Sequence, residues 1–235
     1  MGNFLAGDPK VVMGIERYGH RMFPEGFSLE PDLFRKERFM RIIEGDTFYS
    51  DFGFTKTAYQ NVEEKFDGAL WVGDKLPKLY ETLDNLFQAF PEDTRVILLF
   101  RNIFDVCLSY NMRLNDKNDN WQDGTSAAIK HWNRSIGVYK NSAYKHRIIP
   151  IIYEKFFNNE TSYLKLCSIL GLSTGGDTAQ RLQRYVLRSR QLETQRERTL
   201  SERDVFEITM NSSFGAFREI VHEYDQLFSD GNPDR

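Results

Sequence analysis

The stretch Arg95-Val96-Ile97-Leu98-Leu99-Phe100-Arg101-Asn102-Ile103-Phe104-Asp105-Val106-Cys107-Leu108-Ser109-Tyr110 decides the architecture. Val96 to Phe100 is an unbroken apolar run of the kind expected for a strand buried on both faces, and Arg95 leads into it. Apolar residues then recur at helical spacing, so the pattern predicts a helix from Phe104 to Arg113. The junction puts Arg101 at the end of the strand and Ser109 inside the following helix. A guanidinium offers a planar fork that can hold two phosphate oxygens. A hydroxyl near a helix start can hold a third, while the helix dipole favours the negative charge. The pair therefore reads as a phosphate clamp.

Working outward, strand-like and helix-like segments alternate. Lys10 to Gly14 and Leu70 to Gly73 are short strand signals. Leu79 to Phe90 reads as a helix with Leu79, Leu83, Leu86, Phe87 and Phe90 on one face, stopped by Pro91. Ser126 to Tyr144 is a further helix and Ile148 to Tyr153 a further strand. Ser162 to Leu170 is a helix closed by Gly171, and Phe214 to Phe228 is the last one. Strands separated by helices imply right-handed crossovers and a parallel sheet. The expected fold class is α/β, a three-layer P-loop-like build with a mostly parallel central sheet flanked by helices. The polar run from Asn115 to Gly124 reads as a surface loop.

Composition bounds the rest. The 235 residues carry 31 Lys plus Arg against 34 Asp plus Glu, with 40% hydrophobic content, which is enough for the core of one domain spanning 1–235. The balance argues against a general nucleic-acid binder, whose affinity rests on an excess of basic residues. No apolar run approaches the roughly 20 residues of a membrane span. Cys107 and Cys167 read as buried thiols of a reducing, cytoplasmic compartment. His20, His131, His146 and His222 are scattered with no metal-ligand spacing, so no metal is expected. Trp132 reads as core. The stretch from Arg181 to Arg203 holds seven arginines against three glutamates. It fits a solvated amphipathic helix, and it also fits a set of guanidiniums reaching an anionic ligand.

In a parallel sheet, ligands bind beyond the carboxyl ends of the strands. The residues there are Glu16 and Arg17 after the first strand signal, Asp74 and Lys75 after the second, and Arg101 after the third. Glu16-Arg17 also fits an ordinary surface ion pair, and Asp74-Lys75 a turn before Pro77.

Arg101-Asn102-Ile103-Phe104-Asp105 through Ser109-Tyr110 resembles the 3′-phosphate motif R-N-P-x-D-x-x-x-S-Y of the sulfotransferase superfamily, with Ile103 where that family usually has proline. Gly73-Asp74-Lys75-Leu76-Pro77-Lys78-Leu79-Tyr80 is similar to its G-D-K-x-P-x-Y segment in bacterial and carbohydrate-type members. Asp8-Pro9 through Glu16-Arg17 is similar to its H-P-x-V-x-x-G-x-E-R segment. Tyr153-Glu154, followed by the helix ending Leu170-Gly171-Leu172, is similar to its R-Y-E-D-L strand and L-G-L helix end. The resemblance runs from about residue 8 to residue 172, leaving 173–235 as a helical part without an aligned motif.

The resemblance implies a donor, 3′-phosphoadenosine 5′-phosphosulfate, whose 3′-phosphate would be held by Arg101 and Ser109. It implies Glu16 as general base, with Lys75 and Arg17 balancing charge at the sulfuryl group, and a small-molecule, glycan or lipid acceptor. Oligomeric state cannot be read from the residues. The family's 5′-phosphosulfate loop, usually set between a first strand and a first helix, has no counterpart in this sequence, and Gly2 to Gly7 resembles the tail of the helix that follows it. The expectation is a chain short of a leading strand and loop. A degenerate, non-catalytic nucleotide-binding or interaction module is the second reading, and another P-loop-related transferase the third.

Overall fold

The computed structural model describes residues 1–22, 26–41, 43, 46, 62–174 and 199–229. These form parallel strands flanked by helices, the α/β class that the alternation implies. The chain falls into two compact units, Met1–Thr94 with Leu170–Leu182, and Arg95–Ile169 with Gln183–Arg235. Residues 181–198, most of the arginine-rich stretch from Arg181 to Arg203, lie outside the described residues.

The first unit begins with helix α1 (Gly2–Ala6), strand β1 (Val11–Ile15), helix α2 (Lys36–Met40) and strand β2 (Trp71–Lys75). β1 and β2 pair in parallel, with Gly14 opposite Asp74 and Ile15 opposite Lys75. Asp74 and Lys75 thus belong to the strand and not to a turn. Val11 and Val12 point to opposite faces of the sheet and both are buried, so β1 is covered on both sides at its start. The segment expected as one helix from Leu79 to Phe90 divides into a 3₁₀ turn (Leu79–Thr82) and helix α3 (Leu83–Ala89). Lys78 stands just before the turn at φ 60, a left-handed conformation that delays the helix. Leu83, Leu86 and Phe87 still make the buried face.

The second unit runs β3 (Val96–Phe100), α4 (Ile103–Leu114), α5 (Thr125–Asn141), β4 (Ile148–Ile152), α6 (Tyr153–Phe156), α7 (Glu160–Ile169), α8 (Glu202–Asn211) and α9 (Phe214–Phe228). β3 and β4 pair in parallel from Val96 opposite Ile148 to Phe100 opposite Ile152. β4 is buried at every position, whereas Leu99 of β3 is 42% exposed, so the expectation of a β3 buried on both faces does not hold. The reason lies in the packing, because α9 and α6 lie on β4. Cys107, Cys167 and Trp132 are buried, as their sequence context implied. Gly171 closes the end of α7 at φ +65, a conformation that glycine adopts without steric cost.

α8 was not anticipated. Its signal is the pattern Ser201-x-x-Asp204, a capping box in which each side chain satisfies the other residue's backbone N–H. Asp204 also accepts a 2.5 Å hydrogen bond from the Thr125 hydroxyl, which ties α8 to the start of α5.

Candidate functional site

At the carboxyl end of the β1–β2 sheet, the chain leaves β1 through Glu16 at φ 59. A left-handed conformation costs a non-glycine residue roughly 1–2 kcal/mol. The Glu16 N–H donates to the Lys75 carbonyl at 2.9 Å, and the Lys75 ammonium meets Glu16 Oε1 at 2.5 Å. Both side chains are partly exposed, so the pair faces solvent at the strand ends, where a ligand can reach it.

Arg17 goes the other way. The turn carries its guanidinium into the protein, where it is fully buried and paired with Asp46 at 2.9 Å. It donates to the carbonyls of Phe39 and Arg41 and lies over the ring of Tyr18. Arg38 holds the other oxygen of Asp46 at 2.6 Å. The arginine expected at the sulfuryl group instead fastens Phe39, Arg41 and Asp46. That is the work a buried, multiply hydrogen-bonded guanidinium does well.

Asp74 lies beneath this turn. Its Oδ2 accepts the Tyr18 N–H at 3.0 Å, and its buried Oδ1 makes no hydrogen bond. A Cβ on Gly14 would stand 2.8 Å from that Oδ1, so the carboxylate occupies a slot that only glycine leaves open. Burial pushes the Asp74 carboxyl up to about 7, against the opposing pull of the Tyr18, Arg17 and Lys75 amides and the Arg17 charge. The folded protein therefore holds this proton more tightly than the unfolded chain. The stabilisation is full below the ordinary carboxylate range and is lost as the pH rises through about 7. Thermal melts are expected to show a loss of stability between about pH 4 and 7 that Asp74→Asn flattens; an unchanged slope would contradict a buried, titrating Asp74.

At the carboxyl end of the β3–β4 sheet, Asn102 caps α4, its side chain accepting the Phe104 N–H at 3.0 Å. Arg101 precedes it. Its guanidinium lies over the Tyr153 ring at 4.8 Å, with Nη2 3.4 Å from Asp105 and Nε 4.0 Å from Glu154. That Nε is buried and makes no hydrogen bond. The arginine is fixed from behind, since the Trp132 indole N–H donates to the Arg101 carbonyl at 2.8 Å. Glu154 also accepts the Asn102 N–H at 2.8 Å. Asp105 and Ser109, four residues apart, share one side of α4, and Arg101 reaches the start of that side through Asp105. Ser109 is the seventh residue of the helix and not a first-turn residue, so the dipole acts at Asn102 and Phe104 more than at the serine. It lines an open groove with Met112, Arg113, Asn115 and Lys117.

Sequence reasoning missed the roles of Asp74, Tyr153 and Glu154, although all three lay inside quoted motifs. Their signal was their place at the strand ends. Among the described residues, no three His, Cys, Asp or Glu side chains gather as a metal site.

Both units thus end their parallel strands in charged groups of both signs, Glu16 and Lys75 in one and Arg101, Asp105 and Glu154 in the other. The model of the sulfotransferase family matches residues 17–175, more than half of the chain, and the chain belongs to that family. The matched span contains Arg17, Lys75, Arg101 and Ser109 and begins one residue after Glu16. The chain is also similar to a crystallised sulfotransferase from Alicyclobacillus acidocaldarius, with 17% identity and a TM-score of 0.49 over 98% of this chain and 90% of that one. No curated protein matches it.

Proposed function

We propose that this protein transfers a sulfuryl group from 3′-phosphoadenosine 5′-phosphosulfate to a hydroxyl or amine of a small-molecule, glycan or lipid acceptor. The observation that carries the reading is the partly exposed Arg101 guanidinium at the end of β3, where Tyr153 and Trp132 hold the residue in place and its buried Nε makes no hydrogen bond. A buried N–H without an acceptor is costly, and an anionic oxygen is a strong acceptor for it, while Asp105 and Glu154 stand near enough to pair with the guanidinium when no anion is there. In this reading Arg101 and Ser109 take the 3′-phosphate.

Glu16 is the base. As the acceptor oxygen or nitrogen forms its bond to sulfur, its proton passes to the Glu16 carboxylate, and the bond from sulfur to the 5′-phosphate oxygen breaks. Adenosine 3′,5′-bisphosphate leaves. Lys75, already beside Glu16, faces the charge that develops on the bridging oxygen. Arg17 acts only through the residues it fastens. The reading assigns the chain to the cytoplasm, where its two buried free thiols stay reduced. No described helix is long and apolar enough to cross a membrane.

The test is turnover. With the donor and a panel of phenols, saccharides and hydroxylated lipids, adenosine 3′,5′-bisphosphate is expected to accumulate along with a sulfated acceptor. Binding of the bisphosphate without transfer to any acceptor would favour a nucleotide-binding module.

A further inference from the structure

We propose that Asp74 is a positioning residue for Glu16, the acceptor on which the turn from Glu16 to Tyr18 is built and by which the direction of the Glu16 carboxylate is set. The inference rests on the reading of Glu16 as general base.

Three observations converge on it. Asp74 Oδ2 receives the Tyr18 N–H, and the amides of Arg17 and Lys75 face the same carboxylate, so the two residues that follow Glu16 and the strand residue that pairs with its side chain refer to one carboxylate. Glu16 sits at φ 59, a conformation that a glutamate does not keep unless its surroundings impose it. Gly14 opposes Asp74 in register, and a Cβ there would meet Oδ1 at 2.8 Å and the Arg17 Cβ at 3.1 Å. The absence of a side chain at Gly14 is what admits the carboxylate under the turn. Sequence alone shows Asp74 as half of an Asp-Lys pair. The fold separates the two, sending Lys75 outward to Glu16 and Asp74 inward beneath it.

Asp74 also carries charge into this arrangement. The charged and titratable groups that act on it are the Arg17 guanidinium and the Tyr18 phenol from the turn, while the ammonium of Lys75, next on its own strand, meets Glu16 and lies within electrostatic reach of the Met1 amine. Ionisation of Asp74 strengthens its hold on the turn amides, because a carboxylate is a stronger acceptor than a carboxylic acid. The turn and Glu16 should therefore respond when Asp74 titrates.

The test is a carbon-13 and amide-proton NMR titration of the whole chain, following the Asp74 and Glu16 carboxyl carbons and the Tyr18 N–H. In the native protein, the Glu16 carbon and the Tyr18 amide are expected to show an inflection at the pH where Asp74 ionises. In Asp74→Asn that inflection disappears. The native titration needs no variant, so an unstable substitution leaves the test intact. An Asp74 transition with no echo at Glu16 or Tyr18 would overturn the inference. Kinetics add a second readout, with Asp74→Asn lowering kcat on the order of tenfold while leaving the KM for the donor unchanged. A raised KM with unchanged kcat would also overturn it. The echo together with a fully active Glu16→Gln variant would separate the two claims, because Asp74 would still shape the turn while Glu16 would not be the base.

Discussion

Replacing Glu16 by glutamine is expected to lower the rate of sulfuryl transfer about a hundredfold or more while sparing donor binding. The amide keeps the size of the side chain but cannot take the acceptor's proton. A neutral alcohol then has to attack without help as its O–H bond breaks. The substitution also breaks the ion pair with Lys75, but both partners are partly exposed, and such pairs are worth about 0–1 kcal/mol. The fold should therefore survive, and the loss should fall on kcat. Release of adenosine 3′,5′-bisphosphate from the donor in the presence of an accepted substrate measures it. An unaltered rate would remove Glu16 from the chemistry.

Arg101→Ala is expected to act on binding. It deletes one charge-assisted, bidentate contact to the 3′-phosphate and should weaken the nucleotide by about 2–3 kcal/mol, roughly 30- to 150-fold in Kd. The structure gives a reason to expect a folded variant. Trp132 bonds to the carbonyl of residue 101, which alanine retains, and Asn102 still caps α4. What is lost besides the phosphate contact is the stacking on Tyr153 and the ion pairs with Asp105 and Glu154. Arg101→Lys should recover only part of the affinity, since an ammonium supplies charge without the planar fork.

The elements that came through from sequence are those whose burial repeats at the period of the secondary structure. Val96 to Phe100 is a strand, and Phe214 to Phe228 is a helix with the bounds its periodicity implied. Ile103 shows why a departure from the family pattern changes little here. It occupies the first turn of α4, where proline is also at home, and its side chain is buried. Glu16 and Lys75 were both legible as strand-end residues, and the fold brings them together.

What sequence could not show is direction. Glu16-Arg17 reads as a surface pair until φ 59 at Glu16 turns its neighbour inward to Asp46, 29 positions away. Asp74 was hidden for the same reason, since its importance depends on a glycine on another strand and an amide beyond a turn. Tyr153 and Glu154 reach Arg101 only because β3 and β4 end side by side. Local patterns carry period and propensity, whereas these contacts are made by tertiary registration.

The central claim is recognition of a 3′-phosphorylated nucleotide through Arg101. Calorimetric titration of the chain with adenosine 3′,5′-bisphosphate, set against adenosine 5′-monophosphate, tests it most directly. The account expects the bisphosphate to bind more tightly without added Mg²⁺, and that preference to vanish in Arg101→Ala. Equal affinity for the two nucleotides, or a preference untouched by the substitution, would contradict it.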